Sequence, residues 1–274
     1  MITTSTKLIV VIGHPINHSF SPFLHNAIYE KEGVDAVMLA FDVEKIESFV
    51  AAMRTLPIHL AAVTLPHKET VMAHVDAVDA DAKEIGAVNT IVRRDDGSLT
   101  GFNTDIVGIA AALKDVALKG KNVLILGAGG AARPVAYHAR EHGANIYCHN
   151  RTFDTAQVLC RDFGGTAIEK KENLHDLSFN VVVNATPLGL QPNDPLPFPE
   201  KLIRADSVVF DLVYTPLRTP LLKAAEVRGA HTISGLTMFI AQGLEQERLW
   251  LGREVSDAGY TALVQDALEK RAHY

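Results

Sequence analysis

Val123-Leu124-Ile125-Leu126-Gly127-Ala128-Gly129-Gly130-Ala131-Ala132 decides the fold: a run of apolar residues enters a glycine-rich turn and leaves it as a helix-forming segment. Gly127, Gly129 and Ala132 stand at the spacing G-x-G-x-x-G/A. In a strand–turn–helix unit the first glycine allows the tight turn and the second lets backbone approach a pyrophosphate. The small third residue lets the helix pack close to the strand. Phosphates would then meet the free N–H groups around Gly127, Ala128, Gly129, Gly130 and Ala131, at the positive end of the helix. The plain alternative, a glycine-rich βα turn that binds nothing, is weakened by the strand before the turn and the helix after it.

About 20 residues beyond such a turn, an NAD-binding unit presents Asp or Glu to the ribose 2′-hydroxyl. Here the next strand runs out into His149-Asn150-Arg151-Thr152. A guanidinium is planar, always charged and pairs with phosphate oxygens, so Arg151 predicts NADP rather than NAD. The competing readings are a solvated arginine at a strand end and an inward turn of Asp154.

Outward from the turn, short apolar runs alternate with amphipathic stretches. Leu8–Ile12, Ala36–Phe41, His59–Val63 and Val88–Val92 predict strands, with helices at Pro22–Lys31, Glu44–Thr55 and Lys68–His74 between them. After a helix over Asp105–Val116, strands are expected at Asn122–Leu126, Asn145–Cys148, Asn180–Val183, Val208–Asp211 and Thr232–Ser234. Helices are expected at Ala131–His142, Phe153–Asp162 and Thr219–Arg228, and Pro187–Pro199 as a surface loop. Strands separated by helix-length segments predict an α/β fold of parallel βαβ units wound on both faces. The tail from Thr237 holds two helical stretches and no strand.

The chain has 274 residues, about two domains' worth. The expected layout is a first domain over 1–106, a dinucleotide-binding domain over 107–237, and residues 238–274 returning to the first. An apolar fraction of 47% supplies a packed core and excludes disorder. The 26 Lys and Arg stand against 32 Asp and Glu, a net charge of −6. No basic patch suggests nucleic acid, and no apolar run approaches the ~20 residues of a membrane span. Cys148 and Cys160 lack partners for a disulfide framework or a metal site, so no metal is expected. The N-terminus has no signal-peptide pattern, which predicts a cytoplasmic protein. A monomer or homodimer is expected, acting on a small molecule.

The first domain opens with Gly13-His14-Pro15-Ile16-Asn17-His18-Ser19-Phe20-Ser21-Pro22-Phe23-Leu24-His25-Asn26. Ser21 before Pro22 reads as a helix N-cap followed by proline at the first helical position. Hydroxyls of Ser19 and Ser21 beside a helix N-terminus also suit a carboxylate. This stretch resembles the N-terminal signature of the shikimate dehydrogenases. Further elements follow in that family's order: Val63-Thr64-x-Pro66-x-Lys68, Ala87-Val88-Asn89-Thr90, and Gly101-x-Asn103-Thr104-Asp105-x-x-Gly108. Then come the glycine-rich turn, Asn150-Arg151-Thr152, Asn184-Ala185-Thr186-Pro187-x-Gly189, Asp211-x-Val213-Tyr214-x-Pro216-x-x-Thr219, and Gly235-Leu236-x-Met238-x-x-x-Gln242.

The resemblance spans about Leu8 to Gly252. It implies an N-terminal α/β substrate domain, a Rossmann-type NADP-binding domain, and reversible reduction of 3-dehydroshikimate to shikimate. It further implies Lys68 and Asp105 as the catalytic pair. Ser19 and Ser21 would hold the substrate carboxylate, and Thr64, Asn89 and Gln242 the ring hydroxyls. Asn150, Arg151, Thr152, Thr186, Tyr214 and Gly235 would join the turn in holding the cofactor. Oxidising an alcohol needs a group to take its proton, and the reverse needs a donor. Which of Lys68 and Asp105 carries that proton stays open in the sequence. Departures from the family pattern are Ala62 for an asparagine, His67 for an apolar or aromatic residue, Thr237 for a glycine and Thr155 for an arginine. Ala62 and His67 motivate an alternative within the family, oxidation of quinate or another cyclic hydroxy-carboxylate with NAD. A non-catalytic NADP-binding sensor is the reading from another class, and retention of both Lys68 and Asp105 argues against it.

Overall fold

The computed structural model describes residues 2–17 and 19–271; His18 of the first motif lies outside the described residues. The chain divides into two compact units, Met1–Asp105 with Ile240–Val264, and Ile106–Phe239 with Gln265–Tyr274. The second unit therefore takes the described residues from Gln265 onward, where the sequence reading returns 238–274 to the first. No turn signal inside the last helix marks that division.

In the first unit, β1 (Lys7–Gly13), α1 (Ser21–Glu32), β2 (Ala36–Asp42), α2 (Ile46–Thr55) and β3 (Ile58–Val63) follow the expected alternation. Then come β4 (Ala77–Val78), α3 (Ala80–Ile85), β5 (Thr90–Arg93), β6 (Leu99–Phe102) and the start of α4 (Asp105–Leu113). The six strands lie in the order β2-β1-β3-β5-β6-β4. This sheet is mixed: β5 runs antiparallel to both β3 and β6, whereas the sequence predicts parallel units throughout. The missed signal is Asp96-Gly97, a hairpin turn between β5 and β6, with Gly97 at φ +85°. The expected helix over Lys68–His74 is only a short 3₁₀ turn, Thr70–Ala73. The carbonyl of Lys68 accepts from Val88 N at 2.7 Å, a tertiary bond in place of a helical one.

The second unit contains β7 (Asn122–Leu126), α5 (Ala132–Glu141), β8 (Asn145–His149), α6 (Phe153–Phe163), β9 (Gly165–Ile168), β10 (Val181–Asn184), β11 (Val208–Asp211), α7 (Pro220–Val227) and β12 (His231–Ser234). Its order is β12-β11-β10-β7-β8-β9, with every pairing parallel. Counted within the unit this is the doubly wound order of dinucleotide-binding sheets. Val123 and Ile125 enter one apolar cluster while Leu124 and Leu126 enter another. Burial on both faces is why β7 reads as an unbroken apolar run. The chain ends with α8 (Gly235–Leu251) and α9 (Tyr260–Arg271). Among the described residues no helix is long and apolar enough to cross a membrane.

Candidate active site

In the first unit, antiparallel pairing does the assembling. Thr90 lies opposite Phe102, and Asn89 N donates to Phe102 O at 3.0 Å, so residues 103–105 emerge beside Asn89. Val88 N holds the Lys68 carbonyl and brings the lysine to the same end. Lys68 Nζ donates to Asp105 Oδ2 at 2.6 Å, with side-chain exposures of 13% and 5%. Asn89 Nδ2 donates to the other carboxylate oxygen, Asp105 Oδ1, at 2.9 Å. Asp105 is also the first residue of α4, where the helix dipole favours a negative charge by about 0.3–1 kcal/mol. Both of its oxygens thus accept, the pattern of an ionised carboxylate facing an ammonium. Lys68 uses one of its donors on Asp105 and is the member of the pair with donors to spare.

The other expected substrate residues are placed by separate local devices. A Cβ on Gly13 would stand 2.6 Å from Thr64 Cγ2, so glycine at the end of β1 permits close approach of Thr64. Thr64 N donates to Ile12 O at 2.9 Å. Ser21 is not the N-cap of α1 as its sequence suggests. Phe20 takes that place, Ser21 is the first helical residue, and Ser19 Oγ accepts from Ser21 N at 3.3 Å. With Pro22 in the first turn, the start of α1 keeps the two hydroxyls close in the chain beside a helix N-terminus. Gln242 is buried on α8, one turn before Gln246.

Two departures from the family pattern are absorbed by the protein itself. Ala62 lies in an apolar cluster with Val11, Leu60 and Val92. The ring of His67 bonds the carbonyl of Val43 through Nε2 at 2.6 Å. Sequence reasoning missed several buried polar residues of this unit. Thr90, Thr104 and Gln246 surround Asn89, and Glu247 accepts from Tyr29 Oη at 2.7 Å and pairs with His25 Nδ1. Burial beside Glu247 pushes the Tyr29 phenol upward. The partners of Gln246 and Glu247 lie far away in the chain, and no spacing announces them.

In the second unit the glycine-rich turn has the form its sequence predicts. Gly127 has φ +102°, and a Cβ on it would stand 3.0 Å from Ala185 O. A Cβ on Gly129 would meet nothing within 4 Å, which leaves its backbone open to approach. Ala132 is fully buried at the start of α5, and no side chain caps that helix. Ala128, Gly130 and Ala131 complete the turn before it. Gly127 N donates to His149 O at 2.9 Å, so its N–H is not free as the sequence reading expects; the open backbone of the residues after it, at the start of α5, fits a dinucleotide pyrophosphate. Arg151 follows β8 and is exposed, with no ion pair to a described residue, as a 2′-phosphate ligand requires. Asn150 Nδ2 donates to Thr152 O at 2.9 Å, and Thr155 Oγ1 donates to the same carbonyl at 2.7 Å. Thr155 thus folds the loop that carries Arg151, and Asp154 points to solvent in the first turn of α6.

At the carboxyl ends of β10 and β11, Thr186 Oγ1 donates to Asn184 Oδ1 at 2.6 Å and Asn184 Nδ2 donates to Asp211 Oδ1 at 2.8 Å. Asp211 also accepts from Thr219 Oγ1 and Val213 N, yet burial pushes its carboxyl up to about 6. In open α/β sheets this edge is where ligands bind. Tyr214 stacks on Phe239 with ring centroids 4.4 Å apart. Gly235 begins α8 so close to Leu212 O that a Cβ would collide with it.

Residues 11–91 match the shikimate dehydrogenase substrate binding domain, and residues 109–187 match shikimate / quinate 5-dehydrogenase. The shikimate dehydrogenase (NADP(+)) of Methanocaldococcus jannaschii is 42% identical over 269 residues, covering 93% of this chain and 94% of that protein. The crystal structure of shikimate dehydrogenase from Aquifex aeolicus superimposes with a TM-score of 0.90 at 38% identity, over 97% of this chain and 100% of that one. The Thermus thermophilus shikimate 5-dehydrogenase, solved in complex with NADP(H) and shikimate, gives 0.84 at 35% identity, over 95% and 99%. Similarity of this extent covers the ion pair of one unit and the glycine turn of the other alike, and the chain belongs to the shikimate dehydrogenase family.

Proposed function

We propose that this protein is an NADP-dependent shikimate dehydrogenase that reversibly reduces 3-dehydroshikimate to shikimate. The observation that carries the reading is the largely buried Lys68–Asp105 pair, steadied by Asn89, in a chain that also bears an open glycine turn followed by an exposed arginine. The first unit serves as the substrate and catalytic unit, and the second as the dinucleotide unit.

Gly127 shapes the turn, Ala128–Ala131 would hold the pyrophosphate through backbone, and Arg151 with Asn150 and Thr152 would hold the 2′-phosphate. Thr186, Tyr214 and Gly235 line the remainder of the cofactor's place. NADP supplies the hydride acceptor for the alcohol carbon, or in its reduced form the hydride donor for the ketone. Lys68 exchanges the accompanying proton: its Nζ keeps one hydrogen bond to Asp105 and turns its other capacity to the substrate oxygen. Asp105 is held on both oxygens, so it orients the lysine. Ser19 and Ser21 hold the substrate carboxylate at the start of α1. Thr64, Asn89 and Gln242 pair with ring hydroxyls, which disfavours analogues lacking them.

The expected state is a monomer or a homodimer. Free, buried Cys148 and Cys160 suit a reducing, cytoplasmic compartment. The test follows reduced-cofactor absorbance with shikimate or quinate, each paired with NADP or NAD. Shikimate with NADP is expected to give the highest kcat/KM. A clear preference for quinate with NAD would establish the family's other substrate class here, and NADP binding without turnover of either acid would favour a sensor.

A further inference from the structure

Behind the catalytic pair runs a buried chain of hydrogen bonds whose direction the structure fixes. Thr104 N is a backbone donor and meets Asn89 Oδ1 at 2.7 Å, which settles the orientation of the Asn89 amide. Its Nδ2 therefore faces Asp105 Oδ1 and donates. Thr90 Oγ1 donates to Asn89 Oδ1 at 2.8 Å and itself accepts from Gln246 Nε2 at 2.9 Å. Gln246 Nε2 also lies 3.5 Å from the backbone carbonyl of Asn89, an acceptor that the amide's N–H end can face and its oxygen cannot. Donation thus runs Gln246→Thr90→Asn89→Asp105, with Lys68 at the far end, and Thr90, Gln246 and Asp105 are all buried.

We propose that Thr90 and Gln246 are positioning residues for the reaction, acting through Asn89 to hold Asp105 and hence Lys68 in place. The inference rests on the reading of Lys68 and Asp105 as the proton-handling pair. Two observations separate it from ordinary core packing. Gln246 Oε1 is buried with no protein partner among the described residues, and a buried unpaired carbonyl costs stability. An apolar residue of similar size would serve the fold better, so the amide is explained by its donor end. Asn89, like Lys68, touches Asp105 while being expected to touch substrate, so its orientation bears on both.

Thr90→Val and Thr90→Ser separate the two roles because they move in opposite directions. Valine keeps the shape and loses the hydroxyl, whereas serine keeps the hydroxyl and opens a methyl-sized gap. Positioning predicts that Thr90→Val lowers kcat for shikimate oxidation about tenfold or more, with KM for NADP unchanged, while Thr90→Ser stays within about two-fold. Gln246→Met is expected to lower kcat while leaving the melting temperature unchanged or raised. A packing role predicts the reverse: Thr90→Ser the more damaging, Thr90→Val near native, and Gln246→Met without effect on kcat. Side-chain amide NMR reads the same variants without the reaction: the Asn89 signals shift in Thr90→Val and Gln246→Met and hold in Thr90→Ser. Unmoved Asn89 signals in Thr90→Val overturn the inference whatever the substrate. A native enzyme inert toward shikimate, with the NMR pattern as expected, counts against the assigned reaction and not against the relay.

Discussion

The cofactor cradle proposed for the second unit is made of backbone, and the catalytic centre proposed for the first is made of side chains. Gly127 and Gly129 contribute a positive φ and open space on one continuous stretch of chain. Lys68, Asn89 and Asp105 contribute an ammonium, an amide and a carboxylate from a loop, a strand end and a helix start. A backbone site can be written in consecutive residues, because its geometry is the geometry of a turn. A side-chain site depends on which strands pair and in what direction. The parallel sheet around the turn and the antiparallel β5–β6 hairpin beside the ion pair are the structural counterparts of that contrast.

If the contrast holds, steric change should break the second unit's site and chemical change the first unit's. Gly127→Val puts a branched side chain at φ +102° and against Ala185 O. It should weaken NADP binding by more than about 100-fold while leaving shikimate binding near native; calorimetric titration with each ligand separates the two. Retained NADP affinity would mean that the cradle is not backbone-built. Arg151→Gln tests the one side chain on which the cofactor site is expected to depend. NADP affinity should fall roughly 10- to 100-fold and NAD affinity should hold. Equal loss for both cofactors would place Arg151 outside the 2′-phosphate contact.

A separate effect concerns pH and lies within the second unit. His138 on α5 is buried against the His142 ring, and burial first, then His142, depress its imidazole to about 4. The unfolded chain takes up this proton near pH 6.5 and the folded chain only near 4. The stabilisation is therefore complete above 6.5 and is lost as pH falls from 6.5 toward 4. Asp211 has the opposite sign: its raised carboxyl stabilises the fold below about 3.8, and that contribution is lost as pH rises through about 6. His138→Gln should reduce the acid loss by roughly 3 kcal/mol over its interval, read by hydrogen exchange of β7 and β10 amides against pH. An unchanged slope would show that His138 titrates normally.

The same contrast explains what could be read in advance. The strand, turn and helix around Gly127 stand in the sequence at their observed places, and Arg151 follows from the turn by counting. Lys68 and Asp105 are ordinary residue types alone; only the ordered resemblance singles them out. Thr90 stands in a family motif without a role, and Gln246 and Glu247 are invisible, because their partners depend on tertiary contacts with α8. The expected helix after Lys68 failed for a kindred reason. A tertiary bond from Val88 claims the Lys68 carbonyl, and local helix propensity has no knowledge of it.

The division of labour between backbone and side chain meets its most direct test in Lys68→Ala, with turnover and NADP affinity measured on one preparation. Turnover of shikimate should fall about 1,000-fold, the scale of a lost proton-transfer group. Asp105 keeps its bond from Asn89 and its place at the start of α4, and NADP affinity should stay within about two-fold because the glycine turn is untouched. Parallel loss of turnover and NADP affinity would contradict the account and make Lys68 a structural residue.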